Sequence, residues 1–383
     1  MMADKKGFSY PVVNIEKCIE CGLCEQVCPM LHENNQRIPS HVYAVKNKDE
    51  GVRMKSSSGG LFSILAEDTI KKAGVVYGAA FDDDWHVRHL RIDDDQGISK
   101  LRGSKYVQSQ LGDTYKLVRK DLKSGRCVLF SGTPCQVAGL QHFLGKKYSL
   151  LTTVDFVCHG VPNPRIWDDY LKQQITAVRR SLEKVPFSSS LKFESLIKGI
   201  NFRDKSNGWK KYCFSSELAK PLGDGKQNSV FSSTYVWEHP YMLLFLKDYI
   251  LRPSCHNCKF RCGRSGADYT LGDYWGIERF HEDFFDDKGV SLAMSYERDY
   301  EPHVFKKAEV IETRFEDACF GNPCIVMNLP YNPDSSLFYF LHDRLGMNLE
   351  MSLGFCLRFM SARKGLSRLK QRLKRNISRL KGN

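Results

Sequence analysis

The chain has 383 residues, of which 42% are hydrophobic and 26% charged, and its 57 Lys+Arg against 44 Asp+Glu give a formal net charge of +13. This composition is globular and the length suits two or three domains, which excludes a wholly disordered chain and a mini-protein. No apolar run approaches the roughly 18 residues of a membrane helix, and the N-terminus lacks the apolar stretch of a signal peptide. We therefore expect a cytoplasmic protein whose 14 cysteines serve metal, cofactor or catalysis rather than disulfides.

An alternation of helices and strands is predicted after residue 56. A helix with apolar residues at helical spacing follows the turn SSSGG, and the run VVYGAAF after it indicates a buried strand. The later predicted elements are, in order, a helix over 113–124, the strand RCVLFSG, the helix TPCQVAGLQHFLG, the strand LLTTVDFVC and an amphipathic helix after Pro164. Alternation of this kind predicts an α/β core, here with a mixed sheet.

A second or inserted subdomain is predicted between about residues 185 and 240, where the chain is richer in Ser, Lys and aromatics. Strand-like pieces there include KGINFRD and WKKYCFS, and the helix YMLLFLKDYI follows them. No period of 20 to 50 residues indicates a repeat protein.

Four cysteines near the N-terminus share a strict spacing before a proline: Cys18-x2-Cys21-x2-Cys24-x3-Cys28-Pro29. Thiolates are soft ligands that suit iron, and two-residue gaps let one loop wrap a cubane. The spacing predicts a 4Fe–4S cluster of the bacterial ferredoxin type. In two-cluster ferredoxins the cysteine before the proline binds the other cluster, and the sequence contains no second run. Three arrangements stay open: one cluster held by all four thiolates, one that borrows a remote ligand, or a first run upstream of Met1.

A second set of cysteines is dispersed along the chain. Cys135 and Cys158 follow predicted strands, where α/β folds place their sites, and Cys255 and Cys258 form the motif CHNC. The other cysteines outside the two sets, Cys262 apart, are predicted to be small core residues: Cys127, Cys213, Cys319, Cys324 and Cys356.

Three chemistries suit the dispersed set equally well on spacing alone. Its four thiolates could close a 4Fe–4S cluster inside the domain. Cys135 could instead be a nucleophile at a helix N-terminus, with His159 as its base. A third interpretation is a zinc site in which Cys262 and His256 join the two cysteines of CHNC.

Other motifs are weaker indicators of a cofactor pocket. Ser58-Gly59-Gly60 precedes a predicted helix, where backbone N–H groups bind phosphate, but an isolated pattern of this kind is more often an ordinary helix start. No G-x-G-x-x-G follows a strand, so a Rossmann-type nucleotide site is not predicted. Lys105 beside Tyr106 suits a flavin or a phosphate, and ADYTLGDYWG carries no recognised chemistry.

The end of the chain is strongly basic. Residues 363–383 contain nine Lys or Arg and no acid, so they carry nine of the thirteen net charges. Their apolar residues step by three and four along one helical face, at Leu366, Leu369, Leu373, Ile377 and Leu380. Such a helix suits attachment to an anionic membrane surface, where each Lys or Arg contributes about 1 kcal/mol. No RNA- or DNA-binding motif accompanies it, so a nucleic acid partner is not expected.

Taken together, the motifs resemble the coenzyme F-420 hydrogenase/dehydrogenase beta subunit family. The matching pieces lie in order between about residues 10 and 280: the ferredoxin run, SSSGGLFSILAEDTIKKAGVVYGAAF, LRGSKYVQS, VLFSGTPCQVAGLQHFL, DFVCHGVPNP, INFRDKSNGW, LRPSCHNCKF and ADYTLGDYWGI. Members of this family bind FAD and a 4Fe–4S cluster, and the archaeal ones exchange a hydride with the deazaflavin F-420. The chain looks more like bacterial relatives encoded beside polysaccharide-synthesis genes, whose substrate need not be the deazaflavin.

The resemblance implies roles for particular residues. An internal 4Fe–4S cluster would be held by Cys135, Cys158, Cys255 and Cys258. The flavin pocket would be lined by Ser58, Gly59, Gly60, Ser104, Lys105, Tyr106, Thr133 and Pro134. The sequence departs from the family pattern because it lacks the first ferredoxin run of longer bacterial members and has an additional thiol, Cys262. No residue is assigned a catalytic role.

The implied domains are a 4Fe–4S ferredoxin-type segment over 1–45, an FAD/iron–sulfur oxidoreductase domain over 50–345, with parts 50–165 and 166–345, and a basic amphipathic tail over 346–383. The leading hypothesis is an iron–sulfur flavoprotein oxidoreductase. It would pass electrons between an organic hydride donor or acceptor, FAD, the clusters and a redox partner protein or small organic electron carrier. The alternative is a metal-stabilised binding or scaffold protein that its tail attaches to the inner face of the membrane.

Overall fold

The computed structural model describes residues 1–181, 196–223, 226–296, 300 and 302–361. They form an eight-stranded mixed sheet, a three-stranded antiparallel sheet and a two-stranded N-terminal hairpin. No helix within these ranges is both long enough and apolar enough to cross a membrane.

Thirteen strands lie in the described ranges. They are β1 (Met2–Ala3), β2 (Ser9–Tyr10), β3 (His41–Asn47), β4 (Val75–Phe81), β5 (Val87–Ile92), β6 (Val128–Ser131), β7 (Leu151–Phe156), β8 (Ile197–Asp204), β9 (Cys213–Gly223), β10 (Lys226–Tyr235), β11 (Tyr269–Asp273), β12 (Ser291–Ser295) and β13 (Ala308–Glu312). The large sheet has the order β13-β3-β12-β11-β7-β6-β4-β5. Its four central strands, β11, β7, β6 and β4, are parallel, and antiparallel strands flank them on both sides.

The helices of the described part surround this sheet. They are α1 (Leu23–Gln26), α2 (Glu50–Met54), α3 (Leu61–Lys71), α4 (Asp95–Leu101), α5 (Thr114–Lys123), α6 (Pro134–Leu144), α7 (Pro164–Ser181), α8 (Pro240–Leu246), α9 (Pro302–Lys306), α10 (Phe315–Gly321), α11 (Ser335–Tyr339) and α12 (residues 349–361). Helix α6 shows how the sequence sets such an element. Thr133 and Gln136 form a capping box around Pro134, and the helix ends at Gly145, whose φ of 68° favours glycine.

The two faces of the large sheet are covered by different helices. Side chains of neighbouring strand residues point to opposite faces, so Val75 and Tyr77 of β4 pack against α5 and α6, whereas Val76 and Ala80 pack against α3. Coverage on both faces explains why the central strands are apolar runs without alternation.

A third, aromatic-rich core joins the three-stranded sheet, of order β10-β9-β8, to helices α7 and α8. Trp167 of α7 is fully buried there beside Phe202 of β8 and Tyr241 of α8, with ring centroids 5.3 Å and 5.0 Å away. This core anchors β8, and with it the residues that follow Phe202, against the end of the large sheet.

The architecture confirms the predicted α/β class with a mixed sheet and a small N-terminal segment. The three strands and four helices predicted between residues 56 and 181 are present, and so are the strand KGINFRD and the helix around Met242. Of the strands in the two larger sheets, β3, β5, β10, β11, β12 and β13 were not predicted. Because β3 begins at His41, the large sheet takes strands from residue 41 to residue 312, across the predicted division at 165/166. The basic tail 363–383 lies outside the described residues.

Candidate functional site

The N-terminal cysteine run folds as a short, exposed loop. A 3-10 turn at Ile15–Lys17 precedes it, and α1 lies between its second and fourth cysteines. Gly22 has a φ of 69°, a left-handed conformation that turns the loop tightly and favours glycine. Cys18, Cys21 and Cys24 are exposed, Cys28 is half-buried, and none forms a disulfide. Four free thiols on one such loop fit a 4Fe–4S cluster.

This segment is fixed to the loop that follows the CHNC motif. Asn34 Nδ2 donates to the carbonyl of Arg264 over 2.9 Å. Arg37 donates to the carbonyls of Gly263 and Ala267, over 3.0 Å and 2.6 Å. Lys259 reaches back to the carbonyl of Met30 over 3.0 Å. The contacts place the exposed cysteine loop on the same side of the molecule as the dispersed cysteines.

The dispersed cysteines meet in one cavity. Cys135 follows β6 at the start of α6, and Cys158 follows β7, so both lie at the carboxyl edge of the parallel strands, where α/β folds place their sites. Cys255 lies in a 3-10 turn at Pro253–Asn257, and Cys258 caps it. All four line one cavity between the strand ends and this turn.

Surrounding protein disfavours the thiolate form in this cavity, where the Cys135 side chain is exposed and those of Cys158 and Cys255 are half-buried. Desolvation raises the pKa values of Cys135 and Cys158, and that of Cys255 to about 11, and the neighbouring thiols reinforce each shift. A catalytic cysteine needs a lowered pKa, so the geometry disfavours Cys135 as a nucleophile. Its proposed base, His159, instead contacts Asp248, with 2.8 Å between Nε2 and Oδ1.

The zinc alternative has no geometric support. Within the described residues, no group of three or more His, Cys, Asp or Glu side chains is arranged to hold one metal ion. His256, the fourth ligand of that interpretation, directs Nδ1 to the carbonyl of Leu329. The thiolates of a cubane bind four different irons and therefore lie farther apart than the ligands of a single ion. Four thiols around one cavity thus fit a cluster better than zinc.

The cavity wall includes groups that sequence reasoning missed. Cys324, predicted to be a core residue, lines it together with Cys262 and the buried Asp155. Burial would raise the pKa of Cys324, but His159 and Arg261 outweigh it and lower that pKa. Burial also raises the pKa of Asp155 to about 6. The predicted core cysteines Cys213 and Cys356 are indeed buried; only an apolar context distinguishes them from Cys324 in the sequence.

The residues assigned to the flavin pocket fall into two connected groups. Ser104 N–H donates to Ser57 Oγ over 2.6 Å, which joins the SSSGG turn to the segment GSKYVQS. Within that segment the ring of Tyr106 stacks on Phe245, with 4.8 Å between centroids. Thr133 and Pro134 lie instead in the turn of Cys135, and Pro134 lines the cavity.

His89 and Gln136 connect the two groups. His89 has Nδ1 2.7 Å from Ser109 Oγ and Nε2 3.0 Å from the carbonyl of Ser131. Gln136 Nε2 donates to the carbonyl of Ser109 over 3.4 Å. The segment GSKYVQS therefore lies beside the turn of Cys135. His89 was not predicted, because a lone histidine in a strand carries no signal of such a bridge.

For three of the predicted pocket residues, the structure shows a packing, backbone or hydrogen-bonding role that does not involve a flavin. A Cβ on Gly59 would lie 2.0 Å from the carbonyl oxygen of Val45, and Gly60 has a φ of 86°. Lys105 Nζ donates to the carbonyls of Leu101, Arg102 and Gly103 at 3.0–3.2 Å. Burial lowers the pKa of Lys105 to about 7. Its amine is thus engaged with backbone, and the glycines are explained by packing and φ.

Arg203 adds a buried cation against Tyr106. Its Nη2 donates to Asp273 Oδ1 over 3.0 Å, and the guanidinium lies 3.8 Å from the ring centroid of Tyr212. Two buried polar atoms have no hydrogen-bond partner: Nε of Arg203, and Oε1 of Gln108, which lies two residues after Tyr106 in the sequence. One donates and one accepts, as the edge of a flavin ring requires. Buried polar groups are normally paired, so these two atoms fit a bound polar heterocycle.

Two family models match the parts of the chain that contain the N-terminal cysteine run and the dispersed cysteines. Residues 14–72 match the 4Fe-4S dicluster domain, and residues 125–301 match the family described as the C terminus of the coenzyme F420 hydrogenase/dehydrogenase beta subunit. Within 14–72 the cysteines are those of a single run, and the stretch from His41 onward folds as β3, α2 and α3 of the large domain.

Among solved structures, the chain resembles one from the F420-reducing [NiFe] hydrogenase complex of Methanosarcina barkeri. The two are 14% identical over 87% of this chain and 94% of that chain, with a TM-score of 0.42. No curated protein matches the chain.

The two cysteine sets and the two family matches support an iron–sulfur oxidoreductase. Residues 125–301 match the family that the sequence motifs had indicated, the coenzyme F420 hydrogenase/dehydrogenase beta subunit.

Proposed function

We propose that this protein binds FAD beside an internal 4Fe–4S cluster and exchanges a hydride with a deazaflavin-like or other organic substrate. Its electrons would pass to, or come from, a redox partner protein or a small electron carrier. The observation that carries the proposal is the cavity lined by four thiols, next to a polar and aromatic pocket joined to it by His89 and Gln136.

The chain supplies two environments with different chemistry. A flavin accepts two electrons as a hydride and releases them singly, and an iron–sulfur cluster carries one electron at a time. Around the thiols, the Val161 N–H donates to Cys255 Sγ over 3.4 Å, and Thr133 Oγ1 lies 3.0 Å from Cys135 Sγ. Such contacts stabilise thiolates against the burial that raises their pKa values.

The pocket residues would bind and orient the flavin. Tyr106, held by the stack on Phe245, offers an aromatic wall, and Arg203 and Gln108 offer a donor and an acceptor at its edge. Arg203 keeps its charge because Asp273 lies against it. A fixed cation beside a flavin ring stabilises negative charge on the ring.

Metal content after anaerobic purification and reconstitution tests the internal site. We expect about four irons per cluster site in the wild-type chain, and Cys158→Ser should lose about four irons while the Cys18 loop keeps its own. Cys127→Ser is the matched control, because Cys127 is half-buried and outside the cavity. Equal iron content in both variants would contradict the internal site.

Flavin titration of the reconstituted protein tests the pocket. Gln108→Leu should raise the dissociation constant of FAD about tenfold, because it removes one buried hydrogen bond of about 1.4 kcal/mol. Gln110→Leu, an exposed position two residues away, is the control. A wild-type protein that binds iron but no flavin would refute the flavin half of the proposal alone. The link to cell-surface polysaccharide synthesis stays a prediction from the sequence resemblance.

A further inference from the structure

Helix α12, residues 349–361, is apolar on two different faces. Leu349, Leu353 and Cys356 are at most 4% exposed and pack into the aromatic-rich core. On another side of the same helix Met351, Phe355 and Phe359 are 57%, 50% and 48% exposed. A surface helix of a globular protein normally has one apolar stripe, facing the core. The second stripe therefore needs a reason outside the fold.

The exposed stripe shares its spacing with the sequence that follows. At about 100° per residue, Met351, Phe355 and Phe359 span an arc of about 80°. The later apolar residues occupy the same arc when this count is continued along the sequence: Ala362, Leu366, Leu369, Leu373, Ile377 and Leu380. The outward stripe of α12 is thus the beginning of the pattern that the tail sequence repeats.

The positions that face the core in α12 carry different types of residue further along the sequence. On the same count the buried residues Leu349, Leu353 and Cys356 lie about 140–200° from Met351. When the count is continued along the sequence, the residues at those angles are Ser367, Gln371, Lys374 and Ser378. The sequence after α12 therefore keeps the apolar spacing of the exposed stripe and has polar residues at the positions that correspond to the core-facing ones.

The positive charge of the sequence after α12 favours an anionic partner for the exposed stripe. Residues 363–383 hold nine Lys or Arg and no acid. A second copy of the same chain would bring these cations together, which costs free energy. An apolar stripe flanked by cations is the pattern of helices that lie in the interface of an anionic bilayer.

We propose that Met351, Phe355 and Phe359, with the basic sequence after them, form a docking surface for an anionic lipid bilayer. The three side chains enter the boundary between headgroups and acyl chains, and the cations bind the headgroups. Because α12 packs on the core of the redox domain, attachment holds the domain itself at the membrane rather than on a free tether. This inference is independent of the flavin.

Co-sedimentation of the full-length protein with vesicles tests the proposal. We expect binding to phosphatidylcholine vesicles that contain about 30% phosphatidylserine to exceed binding to pure phosphatidylcholine at least about tenfold, and to fall as salt rises. The double variant Phe355→Ser/Phe359→Ser should weaken binding about tenfold or more, because each half-exposed ring loses part of its burial. Phe231→Ser, at a phenylalanine of β10 that is 64% exposed, is the control and should bind as the wild type does.

The other possible results either contradict the proposal or assign the exposed stripe to a different partner. Equal binding to neutral and anionic vesicles, or wild-type binding by the double variant, overturns the proposal. Concentration-dependent dimerisation without lipid that the double variant abolishes would assign the stripe to a second copy, and competition by duplex DNA that the same variant abolishes would assign it to nucleic acid. Unchanged thermal unfolding and iron content of the double variant exclude misfolding, and Lys370→Glu/Lys374→Glu provides a second test that leaves the described helix intact.

Discussion

Breaking the buried ion pair of Arg203 and Asp273 should strongly lower the stability of the fold. The two side chains are 3% and 17% exposed and lie 3.0 Å apart. Asp273 also accepts from Trp209 Nε1 over 3.0 Å, and Arg203 donates to the carbonyl of Ser57 over 3.3 Å. Replacing Asp273 by Leu leaves a guanidinium with one carbonyl partner and an indole N–H with none. A broken buried pair costs about 3–5 kcal/mol.

A double-mutant cycle isolates the pair. Asp273→Leu should lower the free energy of unfolding by about 3–5 kcal/mol, and Arg203→Met by a similar or smaller amount, because the carboxylate it leaves is partly hydrated. In the double variant neither charge is left unpaired, so its loss should be smaller than the sum by about 2–3 kcal/mol. Equilibrium urea unfolding, followed by tryptophan fluorescence, reports the site directly because Trp209 stacks on Trp275 with 4.6 Å between centroids.

The control for this cycle is an exposed ion pair. Lys210 Nζ lies 2.5 Å from Glu278, and the two side chains are 41% and 34% exposed. Glu278→Gln should therefore change the unfolding free energy by no more than about 1 kcal/mol. Additive effects of Asp273→Leu and Arg203→Met, or a loss no larger than that of Glu278→Gln, would refute the reasoning. All proteins should be compared at equal iron and flavin content.

Three further changes should alter stability in stated directions, each measured by thermal or denaturant unfolding. Gly59→Ala should destabilise by about 3 kcal/mol or more, since its Cβ would lie 2.0 Å from the carbonyl oxygen of Val45. Gly103 has a φ of 85° but open space around it, so Gly103→Ala should cost only about 1 kcal/mol. Equal losses of stability in the two variants would contradict the packing argument. Gly354→Ala in α12 meets no neighbouring atom and should stabilise by about 0.5–1 kcal/mol, and a loss of stability would contradict it. The pKa of His342 is raised chiefly by its contact with Asp169, so its contribution is fully present below the unfolded pKa of about 6.5 and lost as pH rises through the higher folded value. His342→Leu should accordingly destabilise more at about pH 5.5 than at about pH 9, and a pH-independent difference would contradict the linkage.

Local pattern sufficed for the parts of the fold that depend on neighbours in the chain. The runs VVYGAAF and RCVLFSG predict β4 and β6 because strands buried on both faces are continuous apolar runs. The positions of Cys135 and Cys158 at one edge follow from two strands being parallel. Strands β3, β12 and β13 escaped prediction because their pairing partners lie up to about 270 residues away along the chain, and strand formation depends on such partners more than on propensity.

In the candidate site, too, the sequence predicts the residues of short local motifs but not the contacts between distant residues. A short motif such as CHNC is visible in a sequence, whereas the pairing of Arg203 with Asp273 joins residues 70 positions apart. ADYTLGDYWG carried no recognised chemistry alone because the partner that explains Asp273 comes from β8. Cys324 had no signal either, because only the folding of residues 323–325 against the cavity places its thiol there.

The anchoring of the N-terminal segment by Arg37 and Asn34 has a consequence for the order of assembly. Their acceptors are backbone carbonyls of residues 263, 264 and 267, just beyond the CHNC motif, so the anchor exists only once that loop is in its folded path. We expect iron insertion at the inner site to precede stable docking of the outer loop during maturation. Limited proteolysis should then cleave near residue 34 faster in Cys158→Ser than in Cys127→Ser, and identical rates would show that the loop forms without metal. The cluster of the dispersed cysteines would then assemble first, and the exposed loop of Cys18 to Cys28 would bind its cluster afterwards.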